Sequence, residues 1–428
     1  MKALMFGWEF PPHISGGLGT ACYGITSGLM KQGVDVLFVV PKLFGGENKE
    51  TAHLISASDV TIDVKKKLFL DCWDKLTYLQ ISSTLIPYTS PEEFAKLNEV
   101  KSSLTETFCT SPFSFHFELS GEYGSDIMKE IARYALVAAK VATENKFDVI
   151  HAHDWLTFPA GIAAKQASRK PLIIHVHATE FDRSGEHINQ EVYEIEKAGM
   201  EAADHIISVS ELTKKIIIDR YGINPEKISA VHNGVHAKSE NENSQAIKKV
   251  KKYIVTFLGR ITFQKGPDYF VEAANKVLKK NPDVHFVMAG SGDMMNRMIK
   301  RVAELRISSR FHFTGFLKGD DVNSMYAMSD VYVMPSVSEP FGIAPLEAMQ
   351  ENVPVIISKQ SGVAEVLHHV IKVDFWDTDA LADAINGLIN YSALSKNHKQ
   401  TNNAMLQNLN WEKTGERIKD IYQSVCNN

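Results

Sequence analysis

The sequence predicts an α/β protein built as two doubly wound halves, each a parallel sheet with helical crossovers. Three observations predict it. A strand–helix–strand unit opens the chain, a polar stretch at 233–252 divides it, and a second alternating series of strands and helices begins at Tyr253. With 428 residues, 44% hydrophobic and 23% charged, the chain carries apolar material for two cores of ordinary size.

Lys2 to Trp8 is an apolar run of strand length, and Gly16-Gly17-Leu18-Gly19 leads from it into a helix reaching Lys31. Gly33 ends that helix, and Val34 to Pro41 is the second strand. Residues 42–122 lose the rhythm: Lys65-Lys66-Lys67, the mixed run 76–88 and the Ser/Thr-rich 101–111 read as an insertion. The rhythm returns with a helix at 124–144, a strand Phe147–Asp154, a helix to Lys165 and a strand Leu172–His177. A helix at 190–202, a strand His205–Val209, a helix at 211–221 and a strand Ile228–His232 complete the first half. The linker Ser239-Glu240-Asn241-Glu242-Asn243-Ser244 sets the expected domains at 1–236 and 237–410. Strands at Tyr253, Val284, Phe311 and Asp330 build the second half. Trp411 to Val425 has helical apolar spacing, and 411–428 is expected to pack back on the first domain.

The balance of 46 basic against 51 acidic residues, net −5, gives no global attraction to nucleic acid or anionic lipid, so any phosphate site must be local. Cys22, Cys72, Cys109 and Cys426 lie far apart without C-x-x-C spacing, which argues against a zinc ribbon or a disulfide framework and fits a reducing cytoplasm. The first apolar run is too short for a signal or anchor, and no span of about 20 apolar residues follows, so no transmembrane segment is expected.

The organising stretch is Ser338-Glu339-Pro340-Phe341-Gly342-Ile343-Ala344-Pro345-Leu346-Glu347. It follows the apolar run Asp330–Ser336, which reads as a buried strand, and Pro345 suits the first turn of a helix that starts near Ile343. Undonated amides at a helix start attract anions. Glu339 before that start and Glu347 inside it add carboxylates that accept sugar hydroxyl protons, the combination a nucleotide sugar asks for. Gly259-Arg260-Ile261-Thr262-Phe263-Gln264-Lys265-Gly266 also leaves a strand for a helix. Arg260 and Lys265 could be two solvated cations, but at the same sheet edge as Glu339 they converge on a diphosphate. The cluster Gly16-Gly17-Leu18-Gly19 lacks dinucleotide spacing and taken alone is a tight turn.

His151 and His153 share one strand face, as do His175 and His177. A metal reading is disfavoured because the pairs sit on separate strands with no ligating cysteine or H-E-x-x-H helix beside them. His177, where its strand ends, suits a sugar pocket, whereas His151 and His175 read as satisfied core histidines.

Together these residues resemble the retaining glycosyltransferases of the glycosyltransferase-B fold, the glycogen and starch synthase-like group of the sucrose synthase-like E-x7-E family. The resemblance spans nearly the whole chain outside 42–122 and implies two Rossmann-like domains facing across a cleft. It implies that Glu339 contacts the donor sugar near the reacting carbon. Amides of Phe341, Gly342 and Ile343 would hold sugar hydroxyls and phosphate, and Glu347 would accept from the ribose. Arg260 and Lys265 match the pair that neutralises the diphosphate, Gly16 and Gly17 match the first-loop glycines, and His177 matches a histidine that touches the sugar. His153 and Asp154, followed by Trp155, match an H-D-W segment on the acceptor and sugar side. Two departures stand out: Ile14-Ser15 precede the glycines where ADP-glucose synthases carry a lysine, and Phe341 replaces a cysteine.

The implied activity is transfer of glucose from UDP- or ADP-glucose to an α-glucan by a cytoplasmic enzyme needing no cofactor or metal, with no nucleic-acid partner. Other acceptors, such as a cell-surface glycan or a lipid precursor, fit the same residues. Rival readings are a sugar-nucleotide epimerase or phosphorylase, a nucleotide-sugar-binding module without turnover, and a metal hydrolase on the histidine pairs.

Overall fold

The structure, a computed structural model of the chain, describes residues 1–13, 16–47, 52–63, 114–124, 126–236 and 253–427. The fold divides into two compact units, one of Met1–Phe181, Glu186–Asn233 and Trp411–Asn428, the other of Asp182–Gly185 and Gly234–Asn410.

In the first unit, strands β1 (Lys2–Phe6), β2 (Asp35–Val40), β3 (His53–Ser56), β6 (Val149–His153), β7 (Leu172–Val176), β8 (His205–Ser208) and β9 (Ile228–Ala230) form one sheet. Its order is β3-β2-β1-β6-β7-β8-β9, and every pairing is parallel. The short β4 (Ile62–Asp63) and β5 (Ser114–Phe115) pair antiparallel apart from it. The crossovers carry α1 (Gly17–Lys31), α2 (Ile127–Glu144), α3 (Phe158–Ser168), α4 (Glu180–Ser184), of which only Glu180 and Phe181 count with this unit, α5 (Gln190–Ala202) and α6 (Glu211–Tyr221). Strands β6 and β7 are buried along their whole length, as helix-covered parallel strands must be.

The expected insertion 42–122 is corrected at its start. His53-Leu54-Ile55-Ser56 pairs with β2 as an edge strand, so the doubly wound pattern runs further than the sequence suggests. Four residues are too few to display a period. The runs 65–67, 76–88 and 101–111 lie outside the described residues.

In the second unit, β10 (Tyr253–Leu258), β11 (Val284–Ala289), β12 (Phe311–Gly315), β13 (Val331–Met334), β14 (Val355–Ser358) and β15 (Ile371–Val373) form a parallel sheet ordered β12-β11-β10-β13-β14-β15. Its helices are α7 (Pro267–Lys280), α8 (Met295–Glu304), α9 (Asp320–Met328), α10 (Ala344–Gln350), α11 (Thr378–Asn390) and α12 (Ser392–Leu406). In each sheet the strand order reverses at one place, between β1 and β6 in the first and between β10 and β13 in the second. Ligands of such sheets bind outside the carboxyl ends of the strands at that reversal.

The last helix, α13 (Trp411–Asn427), belongs to the first unit and lies against α1 at backbone distance. A Cβ on Gly24 would stand 2.0 Å from the Trp411 ring, and one on Gly28 2.0 Å from the Trp411 carbonyl oxygen. Gly415 answers from the other helix, where a Cβ would lie 2.3 Å from the Gly28 carbonyl carbon. Three glycines thus let two helices touch along their main chains.

Candidate functional site

The reversal point of the second unit collects the residues singled out by sequence. Strands β10 and β13 are neighbours, with Val255 opposite Val331 and Thr256 opposite Tyr332, so their outgoing loops run side by side. Gly266, at φ 65°, makes the closest approach: a Cβ there would sit 2.1 Å from the Pro335 carbonyl oxygen. One residue beyond Ser336, the Val337 amide donates to the Gln264 carbonyl at 2.9 Å. The two loops are therefore stitched together by backbone before any side chain acts.

Across that seam the Lys265 ammonium lies 2.6 Å from Glu339 Oε2, and Ser336 Oγ donates to the same oxygen at 3.0 Å. The Glu339 residue is 5% exposed. Glu339 and Lys265, expected at a sugar and at a diphosphate, thus meet each other. Removing one partner of so enclosed a pair leaves a buried charge, which costs about 3–5 kcal/mol. Arg260 is half-buried two residues past β10, in the same loop.

Gly342, at φ 103°, turns the chain from Glu339 into α10, which begins at Ala344 with Pro345 in its first turn, one residue from the predicted start. Phe341 is 2% exposed, and its carbonyl accepts from the Val363 amide. Among the described residues the amides of Gly342 and Ile343 donate to no backbone carbonyl. Glu347, three residues into α10, accepts from the Tyr326 hydroxyl at 3.2 Å, and burial raises its carboxyl above the usual range.

Sequence reasoning missed four supports of this site: Ser336 and Tyr326, which hold the two carboxylates, and Gly290 and Gly292. A Cβ on Gly290 would lie 1.9 Å from the Gly259 carbonyl oxygen, and one on Gly292 2.3 Å from that of Ile261. The turn after β11 therefore clasps the Arg260 loop, and Ile261 donates back to Ser291 at 2.8 Å. Its signal was in plain view as Ala289-Gly290-Ser291-Gly292, two glycines directly after an apolar strand.

At the reversal point of the first unit, α1 starts at Gly17, and a Cβ on Gly16 or Gly17 would meet nothing within 4 Å. Among the described residues no packing demands glycine there. Asp154 adopts φ 60°, and its Oδ1 accepts from the amides of His177 at 2.7 Å and Ala178 at 3.3 Å. Asp154, expected on the acceptor and sugar side, is buried, and its carboxylate holds the loop that carries His177. His153 is likewise 0% exposed, and its ring bonds His177.

The two histidine pairs do not stand apart. Because β6 and β7 are adjacent with His153 opposite His175, four imidazoles form two stacked pairs. His151 lies over His153 at 4.2 Å between centroids and His175 over His177 at 4.3 Å. Edge to edge, His151 Nε2 is 3.2 Å from His175 Nδ1, and His153 Nδ1 is 3.0 Å from His177 Nε2. His151 is satisfied as expected, its Nδ1 being 2.6 Å from the Tyr422 hydroxyl of α13, whereas His175 Nε2 has no partner. Burial lowers the pKa of all four rings, to about 3 for His151 and His177, so all are neutral at ordinary pH.

Cys22, His153 and His177 each bring a ligand atom within 4.8 Å of the others, as do His151, His153 and His175. Thiol and imidazole are zinc and copper donors. The second trio aims badly, since His151 and His153 are stacked and an ion in the plane of one ring is out of the plane of the other. In the first trio the facing nitrogens of His153 and His177 are already bonded to each other, and burial with nearby Asp154 and Glu9 pushes the Cys22 thiol up.

Comparison with known proteins agrees with this geometry. Residues 238–407 match the family profile "Glycosyl transferases group 1" and residues 125–239 match "Glycosyltransferase Family 4". An uncharacterized glycosyltransferase of Methanocaldococcus jannaschii is 27% identical over 385 residues, 87% of this chain and 84% of its own. A glycogen synthase of Mycobacterium tuberculosis is 24% identical over 86% of this chain and 80% of its own. An Escherichia coli UDP-Gal:alpha-D-GlcNAc-diphosphoundecaprenol alpha-1,3-galactosyltransferase is 27% identical over 66% of this chain and 77% of its own. Among solved structures, sucrose-phosphate synthase from Thermosynechococcus elongatus superposes with a TM-score of 0.71 at 17% identity over 99% of this chain and 98% of that one. Anabaena HepE in complex with UDP and glucose gives 0.67 at 17% identity over 99% and 100%. Two doubly wound units, each with its loops gathered at a strand-order reversal, together with the two family matches, identify the chain as a glycosyltransferase of the glycosyltransferase-B fold, with a group 1 domain over residues 238–407.

Proposed function

We propose that this glycosyltransferase moves a hexosyl unit, glucose foremost, from UDP- or ADP-glucose to a glycan hydroxyl with retained anomeric configuration, elongating an α-glucan. The observation that carries the reading is the Lys265–Glu339–Ser336 cluster at the reversal point between β10 and β13. A nucleotide diphosphate placed there takes the Lys265 ammonium and the Arg260 guanidinium, and Glu339, relieved of its lysine, is left to accept from the sugar. The amides of Gly342 and Ile343, beside Phe341, serve the phosphate and sugar hydroxyls, and Glu347 takes a ribose hydroxyl while Tyr326 keeps one of its oxygens. Gly16 and Gly17 leave room for a ligand to approach the start of α1, and His177 meets the sugar.

Leaving-group stabilisation is the chemical centre of this reading. Charge grows on the departing diphosphate, and fixed cations already aimed at it lower the barrier most, so no metal ion is called on. A UDP-bound neighbour in the same fold and a glycogen synthase among the relatives support the donor and the acceptor respectively. The galactosyltransferase relative supports a second reading, in which the acceptor is a lipid-linked sugar. Among the described residues no helix is long and apolar enough to cross a membrane, and a cytoplasmic place for the reaction is part of the proposal.

The test is direct. Purified protein is incubated with UDP-glucose or ADP-glucose, each with glycogen, with a lipid-linked sugar acceptor or with neither, with and without chelator, and nucleotide release and product growth are measured. Chelator-insensitive growth on glycogen is expected. Growth only on the lipid-linked sugar selects the second reading, and binding without nucleotide release in every arm overturns both.

A further inference from the structure

Three buried imidazoles, those of His151, His153 and His175, decide which proton the part-buried His177 carries. Each neutral ring has one N–H and one lone pair. His153 Nδ1 and His177 Nε2, 3.0 Å apart, share a single proton, and the other nitrogen of His153, Nε2, is buried with no hydrogen-bond partner among the described residues. If His177 donated, His153 would have to hold its own proton on Nε2 as an unpaired buried N–H, the kind of orphan that folded proteins avoid most strictly. If His153 donates from Nδ1, its Nε2 is only a bare lone pair, and His177 must keep its proton on Nδ1.

The second pair obeys the same logic. His175 Nε2 is also buried and unpartnered, so His175 donates from Nδ1 to His151 Nε2. The donation runs from β7 to β6 in that layer and from β6 to β7 in the layer stacked on it. Stacked N–H···N bonds of opposite direction oppose their dipoles, which attract across the stack. Both layers therefore favour the same assignment.

We propose that His153 is a positioning residue that locks His177 in its Nδ1–H tautomer, so that the first unit offers its ligand a neutral N–H donor at this point and never an acceptor. The Asp154 grip on the His177 amide fixes the backbone of the same residue. Resting on the proposed function, the ligand atom served is an oxygen lone pair of the hexose, and a hexose bearing an ammonium at that position is refused.

The tautomer is read without substrate, by two-bond nitrogen–proton correlation in the full chain labelled with ¹⁵N-histidine. His177 and His153 are expected as Nδ1–H forms throughout neutral pH. His153→Phe, which keeps the ring stack but removes the donor, is expected to give His177 a mixture of tautomers and to lower kcat/KM for the nucleotide sugar roughly tenfold, the worth of one hydrogen bond. His153→Asn, whose amide can donate from the place of Nδ1, is expected to restore both. An Nε2–H signature at His177 in the unaltered protein overturns the proposal, as does an unchanged signature in His153→Phe. Stoichiometric zinc binding that Cys22→Ser abolishes overturns it too, because a metal held by Cys22, His153 and His177 would replace the tautomer lock. Failure of every nucleotide sugar to turn over sinks the proposed function alone and leaves the tautomer result to be judged by itself.

Discussion

Replacing Lys265 by methionine removes the ammonium and keeps the side chain's apolar length, leaving Glu339, 5% exposed, with Ser336 Oγ at 3.0 Å on one oxygen. A buried partner stripped of its counter-ion costs about 3–5 kcal/mol, and the low end applies because the Lys265 side chain was itself 22% exposed and water can enter where it stood. A loss near 3 kcal/mol lowers the melting temperature of a unit of this size by roughly 6–12 °C. Turnover falls for a different reason, the loss of one fixed cation facing the leaving group, by about 10²–10³-fold. Adding Glu339→Gln separates the two effects. The double variant has no uncompensated charge, so its melting temperature recovers most of the loss while its turnover stays low. Calorimetry and steady-state nucleotide release on the unaltered protein and the two variants read both quantities. Normal turnover in Lys265→Met, or recovery of turnover in the double variant, would refute the assignment of Lys265 to the leaving group.

Gly266→Ala places a methyl 2.1 Å from the Pro335 carbonyl at φ 65° and is expected to weaken the second unit by several kcal/mol, on the order of an overpacked core, read by urea unfolding. Gly28→Ala drives α13 away from the Trp411 carbonyl, and hydrogen exchange is expected to rise across residues 411–427 while the second unit keeps its protection. His151 and His177 titrate near 3 when folded and near 6.5 when unfolded, so the unfolded chain takes up protons first as pH falls. Their stabilising effect is whole above pH 6.5 and fades below it, by about 2 kcal/mol each at pH 5. Cys22 and Tyr422, which face them, have raised pKa values and stay protonated through that range. An unfolding free energy flat between pH 7 and 5 would contradict the buried, neutral histidines.

Most of the fold was legible because parallel strands under helices write themselves as apolar runs separated by helical stretches. The helices at Gln190–Ala202 and Glu211–Tyr221 stand where their spacing put them. What the sequence conceals is lateral order. Nothing in the spacing says that β1 lies between β2 and β6, or that β6 adjoins β7, and so the histidine pairs looked remote from each other when they are in hydrogen-bond contact. The same blindness hid the Lys265–Glu339 pair, 74 residues apart in the chain. Side-chain direction was the other loss. His153 and Asp154 were legible as polar residues at a strand end, but only the structure turns them inward, one onto an imidazole and the other onto two amides. Gly290 and Gly292 look like an ordinary turn until the Gly259 and Ile261 carbonyls appear against them.

The seam between α1 and α13 has a consequence for how the protein is made. Trp411, Ile418 and Tyr422 are buried in the first unit, and the Tyr422 hydroxyl completes the bonding of His151 on a central strand. These residues are synthesised only after everything from Gly234 to Asn410, a stretch that takes about 10–35 s at common elongation rates. During that interval the glycine face of α1 and the His151 ring lack their partners from α13 while the second unit is still being made. The first unit therefore cannot complete its packing until the residues that follow the second unit have been made.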